Sequence, residues 1–165
     1  MEEQLVTPGK AYEFPEKKCP IPWHQIHLLS NSLAEEFKED KITHVIGLAR
    51  GGLVPATIIS YVLEVPLLSY AVSTYSLDNT FKTQGKFTVR QSVNLKELKE
   101  KNAHVLVVDD ICDSGDTIMY VSDKIAESGI KAKYTTLFTR QKTKKLLDRY
   151  GVLVSDDMWV VFPWE

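Results

Sequence analysis

The chain of 165 residues is 44% hydrophobic and 25% charged and carries a formal net charge of −2. This balance suits one compact domain and excludes a bulk basic field that would draw the chain to nucleic acid or an anionic membrane. Two cysteines, Cys19 and Cys112, are too few for a disulfide framework and lack the paired spacing of a zinc site. The N-terminus has no apolar leader, and no run approaches the roughly 18 apolar residues of a membrane span. We therefore expect a cytoplasmic protein that binds neither nucleic acid nor membrane.

The N-terminal part of the sequence predicts an extended arm followed by a helix. Four prolines fall within residues 1–22, which predicts an extended, peripheral segment rather than a packed element. We place this arm at residues 1–21 and a single folded domain at 22–165. Apolar residues then recur three or four positions apart from Ile26 to Phe37, which predicts an amphipathic helix.

The next segments predict an alternation of strands and helices. The short apolar run 44–49 ends in Arg-Gly-Gly at 50–52, which is typical of a buried strand that opens into a tight loop. We predict a helix through 58–63 and a second strand at 66–72.

A long polar excursion occupies residues 74–102. Within it, the sequence predicts a hairpin over 86–93 and a short helix over 95–101 that is capped by Asn94. Its basic residues include Lys82, Lys86 and Arg90.

The C-terminal half repeats the alternation and sets the fold class. The predicted elements are a strand at 104–108, a helix at 117–128 that stops at Gly129, a strand at 134–139, a helix at 142–150, and extended segments at 151–154 and 159–161. Strands that alternate with helices predict a mostly parallel α/β sheet covered on both faces. In such sheets ligands bind beyond the carboxyl ends of the strands, where the loops at 50–52 and 109–117 lie.

The segment VLVVDDICDSGDT, residues 105–117, places carboxylates, hydroxyls and a glycine between a strand and a helix. Backbone N–H groups at a helix start, together with Ser114, Gly115 and Thr117, form a cradle suited to a phosphate. The carboxylates upstream repel a phosphate, but they can accept hydrogen bonds from sugar hydroxyls and attract a magnesium ion. The segment therefore predicts a sugar-phosphate site.

Two other acidic or phosphate-binding motifs fail on their spacing. An EF-hand loop that began at Asp109 would need an oxygen-bearing side chain at its third position and a glutamate at its twelfth, where Ile111 and Tyr120 stand. A GxxxxGK[ST] loop is absent from the sequence. One aspartate before a helix is equally well explained as a helix cap, but that explanation does not cover the whole string.

The string VVDDICDSGDT resembles the phosphoribosyl pyrophosphate (PRPP) binding signature of type I phosphoribosyltransferases. Three further stretches agree in order and approximate spacing with the 6-oxopurine branch of that family, the xanthine-guanine enzymes: GLARGGLVPA at 47–56, STYSLDN at 73–79 and WVVFPWE at 159–165. The resemblance covers about residues 22–165. It implies a single-domain α/β fold, a mostly parallel sheet flanked by helices, with a flexible lid loop and a small C-terminal hood that binds the base.

The resemblance also implies a reaction and a set of sugar-binding residues. The reaction is that of a purine-salvage pentosyltransferase, which moves ribose 5-phosphate from PRPP to guanine, xanthine or hypoxanthine, releases pyrophosphate and uses Mg²⁺. Asp109 and Asp110 would hold the ribose hydroxyls, with Asp110 also near the metal. The implied PRPP-binding set is Arg50, Gly51, Asp109, Asp110, Asp113, Ser114, Gly115, Asp116 and Thr117.

Two residues take catalytic roles by the same resemblance. Asp113 would face the purine near N7 and assist its deprotonation. Arg50 would stabilise the leaving pyrophosphate from the loop at 49–51, which contains a cis peptide bond in the family.

The base site implied by the resemblance departs from the family at one position. Trp159 would stack on the purine and the backbone of Val160 would contact the base edge. Arg140 stands where relatives have the lysine that donates to the 6-oxo group, so Lys142 is the alternative donor. Asp116 is a second departure, because relatives have glycine or another small residue there.

The resemblance further implies a lid, a homo-oligomer and two competing functions. Residues 74–102 would close over the site, with Lys82, Lys86 and Arg90 as candidate lid cations, and the chain would assemble as a dimer or tetramer. A regulatory PRPP-sensing protein of the same fold is the first alternative, although the acidic balance and the lack of a Lys/Arg cluster disfavour contact with nucleic acid. Transfer to adenine or a pyrimidine is the second, and the Trp159 tail disfavours it.

Overall fold

A computed structural model describes residues 10–12, 17–73 and 87–165 of the chain. The strands in these ranges are β1 (Lys10–Tyr12), β2 (Lys18–Pro20), β3 (His44–Ala49), β4 (Leu67–Ser73), β5 (Thr88–Gln91), β6 (His104–Cys112), β7 (Lys131–Arg140), β8 (Arg149–Val154) and β9 (Trp159–Val161). The α-helices are α1 (Trp23–Phe37), α2 (Leu53–Leu63), α3 (Leu95–Glu100) and α4 (Asp116–Ser128).

The strands form one large sheet and one small one. The large sheet has the order β1-β8-β7-β6-β3-β4-β5, and β2 pairs with β9 in a separate sheet. All neighbours in the large sheet run parallel except β4 and β5, which are antiparallel. The predicted mostly parallel α/β fold is therefore confirmed.

Hydrophobic cores cover both faces of the large sheet. Successive strand residues point to opposite faces, so Val45 of β3 packs into the core with α1 and α2, while Ile46 packs into the core with α3 and α4. On α1, Ile26 and Phe37 are fully buried, as their spacing predicts. Helices on both faces leave the strand ends as the open edges at which a ligand site can form.

Several predicted elements agree closely with the structure. Strand β3 occupies the predicted range 44–49, and β9 the predicted range 159–161. The cap of α3 is confirmed, because the Asn94 side chain accepts a 3.1 Å hydrogen bond from the backbone N–H of Glu97. Helix α4 is followed directly by the predicted stop residue Gly129, which caps the helix with a φ of 70°.

The predicted helix at 142–150 is wrong. The chain forms a short 3-10 turn, Lys144–Leu146, and then enters β8. The reason is pairing with the neighbouring strand: the carboxylate of Asp148 accepts from the Tyr134 N–H at 2.8 Å, and the Asp148 N–H donates to the Tyr134 carbonyl at 2.9 Å. Contacts to β7 therefore override the local helical pattern.

The N-terminal arm is extended but more packed than predicted. Strand β1 pairs with β8 at the edge of the large sheet, and β2 pairs with β9. Cys19 and Ile21 are 5% and 3% exposed and join the core that contains α1. The expectation of an unpacked arm is thus wrong for its second half, since β9 and α1 supply the apolar contacts that the proline-rich sequence does not reveal.

The predicted excursion at 74–102 falls partly outside the described residues. Residues 74–86, with the candidate lid cations Lys82 and Lys86, lie outside them. Strand β5 pairs with β4 and not with a partner inside 86–93, so the predicted local hairpin is wrong. Arg90 lies exposed on β5.

In the described parts of the chain, no helix has the length and apolar character to cross a membrane.

Candidate active site

The site lies where the carboxyl ends of four neighbouring strands meet. Strands β3, β6, β7 and β8 run parallel, so their carboxyl ends share one edge of the sheet. The loop at 50–52 leaves β3, the loop at 113–115 leaves β6, and Ser155 follows β8. The structure therefore brings predicted site residues from two separate loops to the same edge of the sheet.

The loop after β3 packs directly on the acidic end of β6. A Cβ atom on Gly51 would lie 1.8 Å from Oδ2 of Asp110, and one on Gly52 would lie 2.6 Å from the Val108 carbonyl oxygen. Gly52 therefore requires glycine, because a Cβ atom there would meet backbone atoms, whereas a Cβ atom on Gly51 would displace the Asp110 carboxylate. The peptide bond between Ala49 and Arg50 is cis, as in the family that the sequence resembles.

Asp109 and Asp110 are adjacent carboxyl groups within β6. The Asp110 N–H donates to Asp109 Oδ1 at 3.0 Å, and the Ile111 N–H donates to Asp110 Oδ1 at 2.8 Å. Burial raises the pKa of both carboxyls, and the charge of Asp110 raises the pKa of Asp109 further. Sugar hydroxyls or a cation at this position would stabilise their ionised forms.

The predicted phosphate cradle is a small pocket at the start of α4. Its volume is about 100 Å³. Gly115 precedes α4 with a φ of 87°, a conformation that favours glycine. The residues that line the pocket are Asp109, Ile111, Cys112, Asp113, Ser114, Gly115, Thr117 and Ile118.

Asp116 lies at the edge of this cradle and engages one of its hydroxyls. The Ser114 hydroxyl donates to Asp116 Oδ2 at 2.8 Å, and the Asp116 N–H donates back to Ser114 Oγ at 3.3 Å. The Asp116 side chain is exposed and does not line the pocket. Its carboxylate therefore stands close to the cradle without filling it.

Arg140, the last residue of β7, forms an ion pair with Asp113 in the loop that follows β6. Arg140 Nε donates to Asp113 Oδ1 at 2.9 Å, and Arg140 Nη1 donates to the Ser155 carbonyl oxygen. Arg140 is 5% exposed, whereas Lys142 is exposed to solvent. Of the two candidate donors to a base, the structure brings Arg140 together with Asp113.

Trp159 projects from the two-stranded sheet. Its side chain is 63% exposed, while the neighbouring Val160 is 7% exposed and anchors β9 in the core. The Trp159 N–H donates to the Lys17 carbonyl oxygen at 2.7 Å. An exposed indole on an anchored strand is suited to stacking on a planar ligand.

Sequence reasoning missed Ser155 and Thr143 at this site. The Ser155 carbonyl oxygen accepts a hydrogen bond from Arg140 Nη1, and the Thr143 hydroxyl donates to the Cys112 carbonyl oxygen at 2.7 Å. Both contacts involve backbone oxygens, which every residue has. No side-chain pattern could have revealed them.

The acidic pair provides a donor set that fits magnesium held jointly with a substrate. Among residues 10–12, 17–73 and 87–165, no group of three or more His, Cys, Asp or Glu side chains could hold a metal. Asp109 and Asp110 nevertheless offer carboxylate oxygens, and Mg²⁺ is commonly bound by one or two carboxylates with substrate phosphates and waters. The residues present therefore fit the predicted ion as a partner of the substrate and not as a permanent structural metal.

These features bring the residues of the predicted sugar-phosphate site to one edge of a mostly parallel α/β sheet, and comparison with known proteins gives the family. The profile of the phosphoribosyl transferase domain matches residues 22–165. The chain belongs to this phosphoribosyltransferase family, whose enzymes are glycosyltransferases. The resemblance predicted from VVDDICDSGDT is thus confirmed, and so is the predicted class of enzyme.

Individual relatives point in the same direction. Xanthine-guanine phosphoribosyltransferase of Nitratidesulfovibrio vulgaris is 28% identical over 151 residues, which cover 90% of this chain and 85% of that protein. The crystal structure of purine phosphoribosyltransferase from Pyrococcus horikoshii Ot3 is 30% identical, with a TM-score of 0.74 over 91% of this chain and 95% of that one. The xanthine-guanine-hypoxanthine enzyme of Helicobacter pylori, at 18% identity and a TM-score of 0.71 over 90% and 94% of the two chains, shares the fold.

Proposed function

We propose that the protein transfers ribose 5-phosphate from PRPP to a 6-oxopurine, namely guanine, xanthine or hypoxanthine, and releases pyrophosphate. The observation that carries this proposal is the Asp113–Arg140 pair, in which Asp113 lines the pocket at the start of α4 and Arg140 supplies a buried guanidinium that could donate to a base. The exposed Trp159 supports it, as do the substrates in the names of the relatives.

The sugar phosphate would bind across the end of β6. The 5-phosphate would occupy the pocket at 113–117, where the first N–H groups of α4 and the hydroxyls of Ser114 and Thr117 can donate to it. The ribose hydroxyls would donate to Asp109 and Asp110. Such donors favour the ionised carboxylates and offset the cost of their burial.

The pyrophosphate would lie over the loop after β3. Arg50 supplies a positive charge there, and Gly51 lets the backbone approach Asp110 closely. Asp110, with Asp109 beside it, would hold Mg²⁺ together with substrate oxygens. When bound, the ion would supply positive charge that neutralises the leaving group.

The chemistry exchanges one bond at C1 of the ribose for another. The bond from C1 to the pyrophosphate oxygen breaks, and a purine nitrogen forms the new bond to C1. The proton lost by the purine would pass to the carboxylate of Asp113, which Arg140 holds in place. The remaining contribution is alignment of the two substrates and stabilisation of charge.

Arg140 would select the base through its remaining N–H groups. A guanidinium has five N–H donors, and Asp113 and Ser155 use two of its nitrogens. A 6-oxo group would accept a hydrogen bond from the rest, whereas the 6-amino group of adenine would face it with another donor. Trp159 would stack equally on a 6-oxopurine or on adenine, so Arg140 would be the residue that discriminates between the two bases.

Several further properties stay predictions. We propose that the predicted lid at 74–102 is limited to the part that precedes α3, since Leu98 of α3 is 4% exposed and belongs to the core. Arg90 on β5 is a candidate cation of this lid, which would exclude water. We also propose a homo-oligomer, a cytoplasmic location, and an arm at 1–21 that precedes the catalytic domain at 22–165.

The test is pyrophosphate release by the purified chain with PRPP, Mg²⁺ and a panel of bases. Guanine, hypoxanthine and xanthine should react, with adenine at least about tenfold poorer in kcat/KM. Trp159→Ala should raise the KM for the base, while Trp23→Ala, which alters another exposed indole on α1, should not. Equal use of adenine and guanine would refute the 6-oxopurine proposal. Binding of PRPP without release from any base would favour the regulatory alternative.

A further inference from the structure

The segment that follows β7 packs against the phosphate cradle. After Arg140 the chain turns back through Thr143 and the 3-10 turn Lys144–Leu146. Thr143 is 3% exposed, although it carries a hydroxyl and lies in a connection between strands. A buried hydroxyl requires hydrogen-bond partners, and those of Thr143 lie at the carboxyl ends of β6 and β7.

The Thr143 hydroxyl joins the end of β6 to the end of β7. Thr143 Oγ1 donates to the Cys112 carbonyl oxygen at 2.7 Å and accepts from the Arg140 N–H at 3.2 Å. The hydroxyl of Thr139 lies 3.1 Å away and can supply a second donor. The same hydroxyl also lies 3.3 Å from the Arg140 carbonyl oxygen, so it has hydrogen-bond partners at both strand ends.

The methyl group of Thr143 lies beside the glycine of the cradle. A Cβ atom on Gly115 would lie 3.3 Å from Thr143 Cγ2 and 2.6 Å from Leu146 Cδ1. These two side chains therefore occupy the space into which a side chain at position 115 would extend. The Thr143 hydroxyl thus bonds to the last residue of β6, and its methyl group lies beside Gly115, the glycine of the loop that follows.

We propose that Thr143 is a positioning residue that fixes the distance between the phosphate cradle and the base-recognition pair. Cys112 immediately precedes Asp113, so the Thr143 hydroxyl bonds to the backbone on either side of the Asp113–Arg140 contact. Displacement of one strand end would separate C1 of the ribose from the attacking purine nitrogen. Errors of about 1 Å in such alignment can reduce rates by about 100-fold. The inference rests on the proposed function, because it assigns a role within that reaction.

The test compares two variants that remove different halves of the side chain. Thr143→Val keeps the shape and removes the hydroxyl, while Thr143→Ser keeps the hydroxyl and removes the methyl group. Thr136→Val is the matched control, because Thr136 is a fully buried residue of β7 whose hydroxyl donates to the Phe138 carbonyl oxygen at 2.7 Å. All variants are assayed for kcat and for the KM of PRPP and base, and their melting temperatures are measured.

Thr143→Val should lower kcat by about 10- to 100-fold, and Thr143→Ser should stay within about threefold of the wild type. Thr136→Val should retain kcat and both KM values even if it melts earlier. The inference is overturned if Thr143→Val matches the wild type in kcat, if Thr143→Ser is equally impaired, or if activity falls only in proportion to the folded fraction. A wild-type enzyme that transfers to no base would instead refute the proposed function.

If Thr143→Val does not fold, hydrogen exchange of the wild type decides the question. PRPP bound without a base should slow exchange of the Arg140 N–H, which donates to Thr143, together with that of the amides at 113–117. Protection confined to 113–117 would show that Thr143 does not couple the two strand ends.

Discussion

The guanidinium of Arg140 and the carboxylate of Asp113 form a 2.9 Å ion pair in which the arginine side chain is 6% exposed and the aspartate side chain 65% exposed. The buried partner of this pair is held from two sides, because the Ser155 carbonyl oxygen accepts from the same guanidinium. The exposed partner lines the phosphate pocket. The proposed proton acceptor and the proposed base-selecting donor thus contact each other directly.

Removing the guanidinium should abolish the choice of base. Arg140→Ala is expected to lower kcat/KM for guanine by about 10- to 100-fold and to change the value for adenine much less, since the hydrogen bond to the 6-oxo group is lost. Lys142→Ala, which alters an exposed residue two positions on, serves as the control. Steady-state assays with both bases measure the effect. If Lys142→Ala alone lost discrimination, Lys142 would be the donor.

Enlarging Gly51 should disable the sugar and pyrophosphate end of the site. In Gly51→Ala the new Cβ would lie 1.8 Å from Oδ2 of Asp110, so the carboxylate or the loop must move. We expect kcat to fall by at least about 100-fold, with a circular dichroism spectrum like that of the wild type. Calorimetric titration with PRPP should show weaker binding. Normal binding and turnover would contradict the placement of this loop against Asp110.

Neutralising Asp116 should tighten the binding of PRPP. Its carboxylate accepts from the Ser114 hydroxyl at 2.8 Å and places negative charge beside the proposed phosphate. Asp116→Asn keeps an acceptor for Ser114 and removes the charge, so the KM for PRPP should fall by about threefold to tenfold, and more at low salt. The salt dependence separates this charge effect from a change in loop shape. A KM that rises would show that Asp116 helps to form the cradle.

The sequence could predict the part of the site that is contiguous along the chain. The acids, hydroxyls and glycine of 109–117 lie within one segment, and the periodicity around them fixes a strand and a helix on either side. The Asp113–Arg140 pair joins residues 27 positions apart, and a resemblance suggested both residues without predicting that they meet. The Thr143 contacts lie beyond any pattern, because their partners are backbone atoms.

The failed helix at 142–150 has a similar cause. Its apolar spacing is compatible with a helix, but the segment lies beside the edge of β7, whose Tyr134 offers an N–H and a carbonyl oxygen to Asp148. Strand pairing satisfies those groups, and a helix would not. Local sequence carries no information about which neighbour lies across the sheet.

Replacing Thr135 by valine should stabilise the protein. Thr135 is fully buried, and its hydroxyl has no hydrogen-bond partner among the described residues. Thr135→Val removes this unsatisfied group at nearly constant shape, so the free energy of unfolding should rise by about 1 kcal/mol. The Thr136 hydroxyl donates to the Phe138 carbonyl oxygen, so Thr136→Val should instead lower the free energy of unfolding by a similar amount. Urea unfolding measures both free energies, and an equal decrease in the two variants would contradict the prediction.

Asp40 should make the stability of the fold depend on acid pH. Its carboxylate, 16% exposed, accepts from Lys133 Nζ at 2.8 Å and from Arg149 Nη1, and these hydrogen bonds hold the pKa of Asp40 below its ordinary value of 3.8. The unfolded chain then takes up the proton at a higher pH than the folded chain, so this stabilisation is complete above the ordinary pKa and is lost as the pH falls through the folded-state value.

Asp40→Asn is therefore expected to melt a few degrees below the wild type at pH 7, for a loss of about 1 kcal/mol. The gap between the two melting temperatures should stay constant down to about pH 5 and narrow below about pH 4, because the wild type loses its charged carboxylate there. Asp123→Asn makes the same change of charge at an exposed position of α4 and controls for net charge. Thermal melts of the three proteins from pH 7 to pH 3 measure the effect. A gap that stayed constant into strong acid would show that the charge of Asp40 contributes nothing to its contacts with Lys133 of β7 and Arg149 of β8. Asp40 lies in a short 3-10 helix, Lys38–Asp40, that follows α1.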